Sequence, residues 1–469
     1  MPDQQPQSVE DVKKLIDEHG VEFIFASFSE IKGKSNAKLV PAKHVDDMFA
    51  EGAGFAGFAA GDIGQGPHSP DVVTIPDPKT FRVVPWDKKL AHVIGNVHVN
   101  GEPWAFCPRT ILQRQVDRAR EMGFDFRLGF EAEFMLVDFD EDGKLKVADE
   151  FDSWDRPCYD VKSLSRNMDF ATTMSKYVTE LGWENYAVDH EDGNGQFEVN
   201  VTYADAVESA DRAIFFRYMT DMVAREHGAL ATFMPKPFTD NTGNGMHFTM
   251  SLWDMENEVN LFEAPKDQED PRGFDMSETA YHFIAGILDH ARAYSAFAAP
   301  TVNSYKRLKP GTELIRTWVP VARTWGGNNR TQMIRIAREG AIEDRTPDFS
   351  GSPYLAMAAA LAAGLDGIER KLDPGPVNEK NLYDFSPSQL HARGIKLLPG
   401  SLLESLHYLG KDDVMREAFG KVPKDGPEGE FGAGTEDFID YYIRIKRDEF
   451  HEVTDEVTQV EVDRYLLFP

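Results

Sequence analysis

Apolar and polar residues alternate with a period of two along several stretches of this chain, most regularly over residues 127–137. Side chains two apart on a strand share a face. Leu128, Phe130, Ala132, Phe134 and Leu136 therefore lie on one face, and Arg127, Gly129, Glu131 and Glu133 on the other. Two carboxylates project side by side from a strand with an apolar back. Such neighbours repel each other unless a cation neutralises them. The pattern recurs downstream. Gln196, Glu198 and Asn200 oppose Phe197, Val199 and Val201, and Glu191 sits just before them in the acidic loop HEDGNG. His247, Thr249 and Ser251 oppose Met246, Phe248, Met250 and Leu252, and Glu343 shares a face with Arg345. Any one of these segments reads as an ordinary half-buried strand with a wet face.

Around these strands the pattern predicts an amphipathic helix near 8–19, two strands about a turn at Lys32–Lys34, and a helix over HVDDMFAEG. A glycine-rich loop to about Gly66 follows, then strands near 71–76 and 90–99. That is a small α+β unit. Residues 101–107 read as a linker, and Pro108 suits the first turn of a long helix. The remainder reads as one large α+β domain with apolar helices over 277–297 and 353–371, a loop at 421–436 and a charged final helix.

Composition narrows the function classes. The chain has 469 residues, is 41% hydrophobic and carries a net charge of −29. That balance supports a globular fold and argues against a nucleic-acid partner, which needs clustered Lys and Arg. The polar start and the lack of a long apolar run predict neither a signal peptide nor a membrane span. Cys107 and Cys158 fit free thiols in a cytoplasmic protein. Gly52, Gly54 and Gly57 form a GxGxxG, but a helix precedes it and more loop follows, which is the wrong setting for a dinucleotide turn. No GxxxxGK[ST] is present, so an ATP site would not be a P-loop.

Five Glu and one His on polar strand faces could line one cavity. Oxygen-rich ligation with a single imidazole suits Mg²⁺ or Mn²⁺ better than zinc. Arg307, Arg330, Arg335 and Arg345 accompany them. Acids for a metal with arginines for phosphate and carboxylate oxygens are the inventory of phosphoryl transfer.

In order along the chain, GFEAEFMLV, HEDGNGQFEV, DNTGNGMHFTMSL, NSYKRLKPGTE, NNRTQMIRI and AIEDRTPDFSGSPYLA resemble the motifs of the glutamine synthetase superfamily over nearly the whole length. The resemblance implies an α+β fold: a small β-grasp-like N-terminal domain over 1–105, then a glutamine-synthetase-type catalytic domain over 106–469 with a curved antiparallel half-barrel and surrounding helices. It implies two or three divalent cations per site, with Glu133, Glu191 and Glu198 holding one and Glu131, His247 and Glu343 a second. Arg307, Arg345, Asn244 and Gly245 would bind glutamate, with Tyr159 near the amine pocket. Arg330, Arg335, Ser251 and Thr249 would face ATP, and Arg330, Glu191 and the flap residue Glu313 would serve catalysis. Homo-oligomers, usually dodecamers of two stacked hexamers with active sites between subunits, are implied as well. The reaction implied is ATP-dependent ligation of an amine to the γ-carboxyl of glutamate through γ-glutamyl phosphate.

The chain departs from the family pattern at three points. Where ordinary glutamine synthetases carry GFDGS, it reads GFAGF, so Ala56 replaces the aspartate that helps bind ammonium. Loss of that charge and a smaller, apolar lining favour a substituted amine, methylamine first. Ammonia with nearby Asp62 as the substitute, another amine such as ethylamine, ethanolamine or a polyamine, and an inactive structural homologue are the alternatives. Thr249 stands where a second histidine is usual, and the connection from Glu313 to Arg330, with Trp318 and Trp325, is longer. NLYDFSP resembles a loop that some members adenylylate, here at Tyr383.

Overall fold

The computed structural model describes residues 5–309, 318–420 and 437–467, so Glu313 and the loop expected at 421–436 lie outside the described residues. The helix Val9–His19 begins where the Ser8 side chain accepts the Asp11 N–H, and it ends at Gly20 with a left-handed φ of 67°. The strands Phe23–Ser29 and Ser35–Pro41 pair antiparallel. Their turn is held by the Glu30 carboxylate, which accepts the N–H groups of Lys32 and Lys34 at 3.1 and 2.7 Å. In the first sheet the order runs Ser35–Pro41, Phe23–Ser29, Leu90–Val99, Val72–Pro76 and Ala53–Phe55, and Phe23–Ser29 is parallel to Leu90–Val99.

The glycine-rich stretch is more ordered than its composition predicts. Ala53–Phe55 joins the sheet edge and Gly57–Ala60 makes one helical turn. Gly52 sits at φ +79°, and a Cβ there would lie 2.6 Å from the Thr74 carbonyl oxygen. The glycine serves close approach to the neighbouring strand, and a single turn of helix after it is too short for a dinucleotide fold.

The second sheet carries the alternating segments. Its order is Asn185–His190, Gln196–Val201, Phe124–Phe139, Met246–Asp254, Ala341–Asp344, Ile334–Arg338 and Trp325–Gly326, antiparallel along the path except at its last pair. Phe124–Phe139 is the long central strand, and its apolar face meets helices. Phe130 and Phe134 pack against Phe216 of the helix Ala206–Glu226 at ring distances of 6.0 and 6.3 Å. Phe126 meets Phe283 of the helix Glu278–Ala298 at 6.0 Å. Burial of each such ring contributes roughly 2–3 kcal/mol. The helix Pro353–Glu369, buried along nearly its whole length, closes the layer behind.

One arginine joins the two sheets. Arg109, in the helix Pro108–Glu121, is 4% exposed. It donates to both oxygens of Asp211 at 2.9 and 3.0 Å, to Asp77 at 2.8 Å and to the Asn96 side chain at 2.8 Å. Asp77 and Asn96 belong to the first sheet's region, whereas Asp211 lies on the helix behind the second. Tyr354 completes the cluster by donating to Asp211 at 2.6 Å. Arg109→Met would leave Asp211 buried without its cation, at a cost of about 3–5 kcal/mol. The expected outcome is a clearly lower urea midpoint, with Arg109→Lys failing to restore it because ammonium lacks the planar fork. An unchanged midpoint would show that the cluster does not join the sheets.

Candidate active site

The strand register brings the polar faces together. Glu198 lies directly opposite Glu133, and His247 opposite Glu131. Glu343 lies opposite Thr249 on one side and Arg335 on the other. Like charges directly opposite on a sheet are destabilising, so this register is held by the apolar packing on the reverse face. The imidazole of His247 lies 3.8 Å from both Glu131 and Glu133 and 3.6 Å from Glu343.

Two cavities open over this cluster and share Glu131, Arg335 and Glu343 in their walls. The first, of about 420 Å³, is also lined by Glu133, Glu191, Glu198, His247, Arg307, Arg330, Arg345 and Tyr159. The second, of about 500 Å³, adds Thr249, Tyr186, Tyr203 and Arg338. An acidic centre thus separates an arginine-lined chamber from one with aromatic walls.

Not every predicted residue faces these chambers. Ser251 lines neither cavity, and its hydroxyl accepts the Trp253 indole N–H at 2.9 Å. Asn244 is fully buried and donates to the carbonyl oxygens of Thr232 and Met234. Gly245 donates its N–H to Glu133 at 2.7 Å, and a Cβ there would crowd Arg307 and His247 at 2.8 and 2.9 Å. Ala56 is exposed in the first sheet's region and lines neither cavity. Three of the four predicted arginines are already engaged. Arg335 donates to Glu343 at 2.8 Å and to the Asn328 side chain, and Arg345 donates to Glu343 at 2.6 Å and to the Trp318 carbonyl. Arg307 donates to the carbonyl oxygens of Thr346 and Arg345. Tyr383 turns its hydroxyl onto the Val319 carbonyl at 2.6 Å.

Electrostatics follow from this crowding. Burial, then Glu133 and Asp189, push the Glu191 carboxyl up to about 8. Burial, then Glu131 and Glu191, hold the Glu198 carboxyl well above its ordinary range. Glu343 goes the other way: burial opposes its charge, but Arg345, His247 and Arg335 hold it below the usual value. Burial and then Glu191 push the Tyr159 hydroxyl up to about 12.

These donors fit a divalent cation. Glu131, His247 and Glu343 form one group whose ligand atoms lie within 4.8 Å of one another, and Glu133, Glu198 and His247 form another. Hard oxygen donors with one imidazole suit Mg²⁺ or Mn²⁺, and the raised carboxyls mark a cluster short of positive charge. Glu191, expected beside Glu133 and Glu198, belongs to neither group but is coupled to both of those acids by charge.

Sequence reasoning missed the residues that hold the acidic loop. Asp152, remote in sequence, accepts from His190 Nε2 at 2.7 Å and from the Gly195 N–H at 2.6 Å. It also accepts from Ser163 and Asn194. His190 in turn bonds the Glu191 carbonyl through Nδ1 and accepts the Tyr159 N–H on its own carbonyl. Tyr159 sits at φ 61°, a strained setting for a side chain of its size. Gln196 was visible on its strand face, yet its role is structural here, spanning Glu133, Asn244 and the Gly193 N–H. Only the alternation around Gln196 offered a signal; nothing marked Asp152.

Comparison with known proteins agrees with this geometry. Residues 105–465 match the glutamine synthetase catalytic-domain family. The chain is 41% identical to a glutamate–methylamine ligase of Methyloversatilis universalis, covering 98% of this chain and 100% of the relative. It is 38% identical to a glutamine synthetase of Rhizobium meliloti, over 96% and 98% of the two chains. A solved structure of GmaS in complex with ADP superposes with a TM-score of 0.86 at 38% identity, covering 97% of this chain and 98% of that one. Family match, full-length relatives and the acid-centred pair of cavities converge: the chain belongs to the glutamine synthetase family of ATP-dependent ligases.

Proposed function

We propose that this protein joins methylamine to the γ-carboxyl of L-glutamate at the expense of ATP, giving γ-glutamylmethylamide, ADP and phosphate. The observation that carries the ligase reading is the acidic centre shared by two cavities, one arginine-lined and one aromatic-walled. Identities of 41% and 38% to a methylamine ligase and a glutamine synthetase are too close to choose the amine. Ala56 supports methylamine. No carboxylate is present at this position to attract ammonium, and Asp62 is occupied by Lys32 at 2.8 Å.

On this reading Arg307 and Arg345 orient the carboxylates of glutamate in the first cavity, with Gly245 supporting the backbone contacts. Arg330 and Arg335 face the phosphates, and Thr249 lies on the nucleotide side. For Arg335 and Arg345 this requires a partner exchange, because each now holds Glu343. Glu131, Glu133, Glu191, Glu198, His247 and Glu343 are the residues that would hold Mg²⁺ or Mn²⁺, which supplies the charge that neutralises acids and phosphate oxygens. The γ-carboxylate oxygen attacks the terminal phosphorus and ADP leaves. Methylamine nitrogen then attacks the acyl carbon of γ-glutamyl phosphate, phosphate departs, and the amine proton passes to Glu191 or Glu313. Tyr159 and Glu191 flank the amine, both fixed through His190 and Asp152. Residues 1–105 form the N-terminal domain of this reading, tied to the rest of the chain through Arg109. The exposed setting of Ala56, outside its own chain's cavities, supports a homo-oligomer, a dodecamer in this family, in which that domain lines a neighbour's site. A cytoplasmic setting belongs to the same proposal; no helix among the described residues is long and apolar enough to cross a membrane.

ADP release with glutamate, ATP and Mg²⁺ tests the amine directly. Compared at equal free-base concentration, methylamine is expected to give a kcat/KM at least about tenfold above that of ammonium. Faster turnover with ammonium would make this a glutamine synthetase. In Ala56→Asp the methylamine-to-ammonium ratio is expected to fall by about tenfold or more; an unchanged ratio would remove Ala56 as the selector.

The cation set makes a separate prediction. A carboxyl whose folded pKa is raised stabilises the fold at low pH, and this contribution is lost as pH rises through the folded value. For Glu191 that window runs from its ordinary 4.5 up to about 8. Cation-free protein is expected to lose melting temperature between pH 6 and 8.5, and Mg²⁺ to restore several degrees at pH 8.5 but little at pH 6. A Mg²⁺ effect independent of pH would exclude Glu191 and Glu198 from the cation site.

A further inference from the structure

A third cleft lies away from the reaction chambers. It has a volume of about 540 Å³ and shares no lining residue with either active-site cavity. Its walls come from the helix Glu278–Ala298, the strand Trp325–Gly326 and the loops 370–380 and 393–396. In a chain of net charge −29 its lining is unusually basic, with Arg323, Arg370, Lys380, Arg393 and Lys396 against Asp289 and Asp373.

Both acids are already spent. Asp289 pairs with Arg370 at 3.1 Å, and Asp373 with Arg272 at 2.5 Å. Among the described residues, Arg323, Lys380, Arg393 and Lys396 therefore have no carboxylate partner. Arg323 is the most exacting of the four. Its Nε is sealed from solvent without a hydrogen-bond acceptor among the described residues. Its charge is disfavoured by burial and then by the guanidinium of Arg292, which is itself committed to Tyr408 and the Leu397 carbonyl. A buried donor without a partner, beside a second cation, is costly in a low-dielectric setting. Arg393 covers the Phe385 ring at 4.4 Å, which leaves its guanidinium edge available for an oxygen ligand.

We propose that this cleft is an anion-binding site for a small polyanion, a phosphate-bearing or polycarboxylate metabolite, held by Arg323 together with Arg393 and Lys396. The volume exceeds what a single phosphate fills and matches a metabolite-sized ligand. Guanidinium groups suit both phosphate and carboxylate oxygens, so this chemistry is shared by the two ligand classes. The position connects the cleft to the reaction chambers through backbone. Arg323 donates its N–H to the Lys396 carbonyl at 2.8 Å, and Ile334, in the strand that carries Arg335, donates to the Thr324 carbonyl at 3.1 Å. Upstream in the same segment, Trp318 and Val319 line the first active-site cavity.

Calorimetric titration of the metal-free, full-length protein with pyrophosphate and, separately, with citrate tests the site. The expected result is binding of one or both that persists in Arg330→Gln and weakens at least tenfold in the double variant Arg323→Gln/Lys396→Gln. A response to pyrophosphate alone assigns the phosphate class, and a response to citrate alone the polycarboxylate class. Binding that vanishes in Arg330→Gln but survives in the double variant would place the anion in the reaction chambers and overturn the proposal, as would no binding of either probe. In anion-free, low-salt buffer Arg323→Gln is also expected to raise the melting temperature, because it removes a half-buried cation beside Arg292 whose Nε has no acceptor among the described residues. A lowered melting temperature would mark Arg323 as a structural strut and likewise overturn the site.

Discussion

Mutual repulsion among carboxylates is the constraint around which this protein is built. Glu131, Glu133 and Glu198 lie on one side of a sheet with Glu191 in the loop beside them, and burial followed by their neighbours' charges raises the Glu191 and Glu198 carboxyls. What holds them there is the opposite face. Phe126, Phe130 and Phe134 are locked into aromatic and helical neighbours, so the strands cannot slip by one residue without turning that apolar set into solvent. The apolar packing holds these acids together against their mutual repulsion. Glu343 relieves part of it differently, by gripping two arginines that the substrates of the reaction would also need. On the proposed reading, substrate entry would require these arginines to exchange Glu343 for substrate oxygens.

Much of this was legible in the residues because its period is two. The alternation at 127–137, 196–201 and 246–252 gave strands, faces and acids together, and strand pairing then had few ways to bring those faces into one chamber. The order of the six family-like segments supplied the rest of the fold. What stayed hidden was set by distance in sequence and by direction of side chains. Asp152 lies in an irregular stretch, and nothing near it marks the contact with His190 or Gly195. Asn244 and Ser251 were expected at the ligand, yet both turn to the protein, because neighbouring backbone carbonyls or an indole N–H reach them first. The glycine-rich stretch near Gly52 misled by composition: three residues were enough to add an edge strand, which no periodicity can signal.

The basic cleft was invisible for a related reason. Arg323, Arg393 and Lys396 lie in segments without regular alternation, and their charges become conspicuous only once Asp289 and Asp373 are seen to be taken. Charge counts along a chain describe supply; only the fold reveals which charges remain without a partner. The same holds at Asp62, whose proximity to Ala56 in sequence suggested a replacement carboxylate until Lys32 was found against it.

The Arg109 cluster has a meaning beyond cohesion. Because Asp77, Asn96 and Asp211 are clasped by one guanidinium, the first sheet is tied to the helices behind the second, with Ala56 exposed upon it. On the proposed reading, in which this surface lines a neighbour's site, the choice of amine would belong to pairs of subunits rather than to any one of them. In a cell making two versions of this chain, an altered first sheet would then express its preference in its neighbour's chemistry, and a mixed assembly would blend the two specificities instead of averaging two independent enzymes.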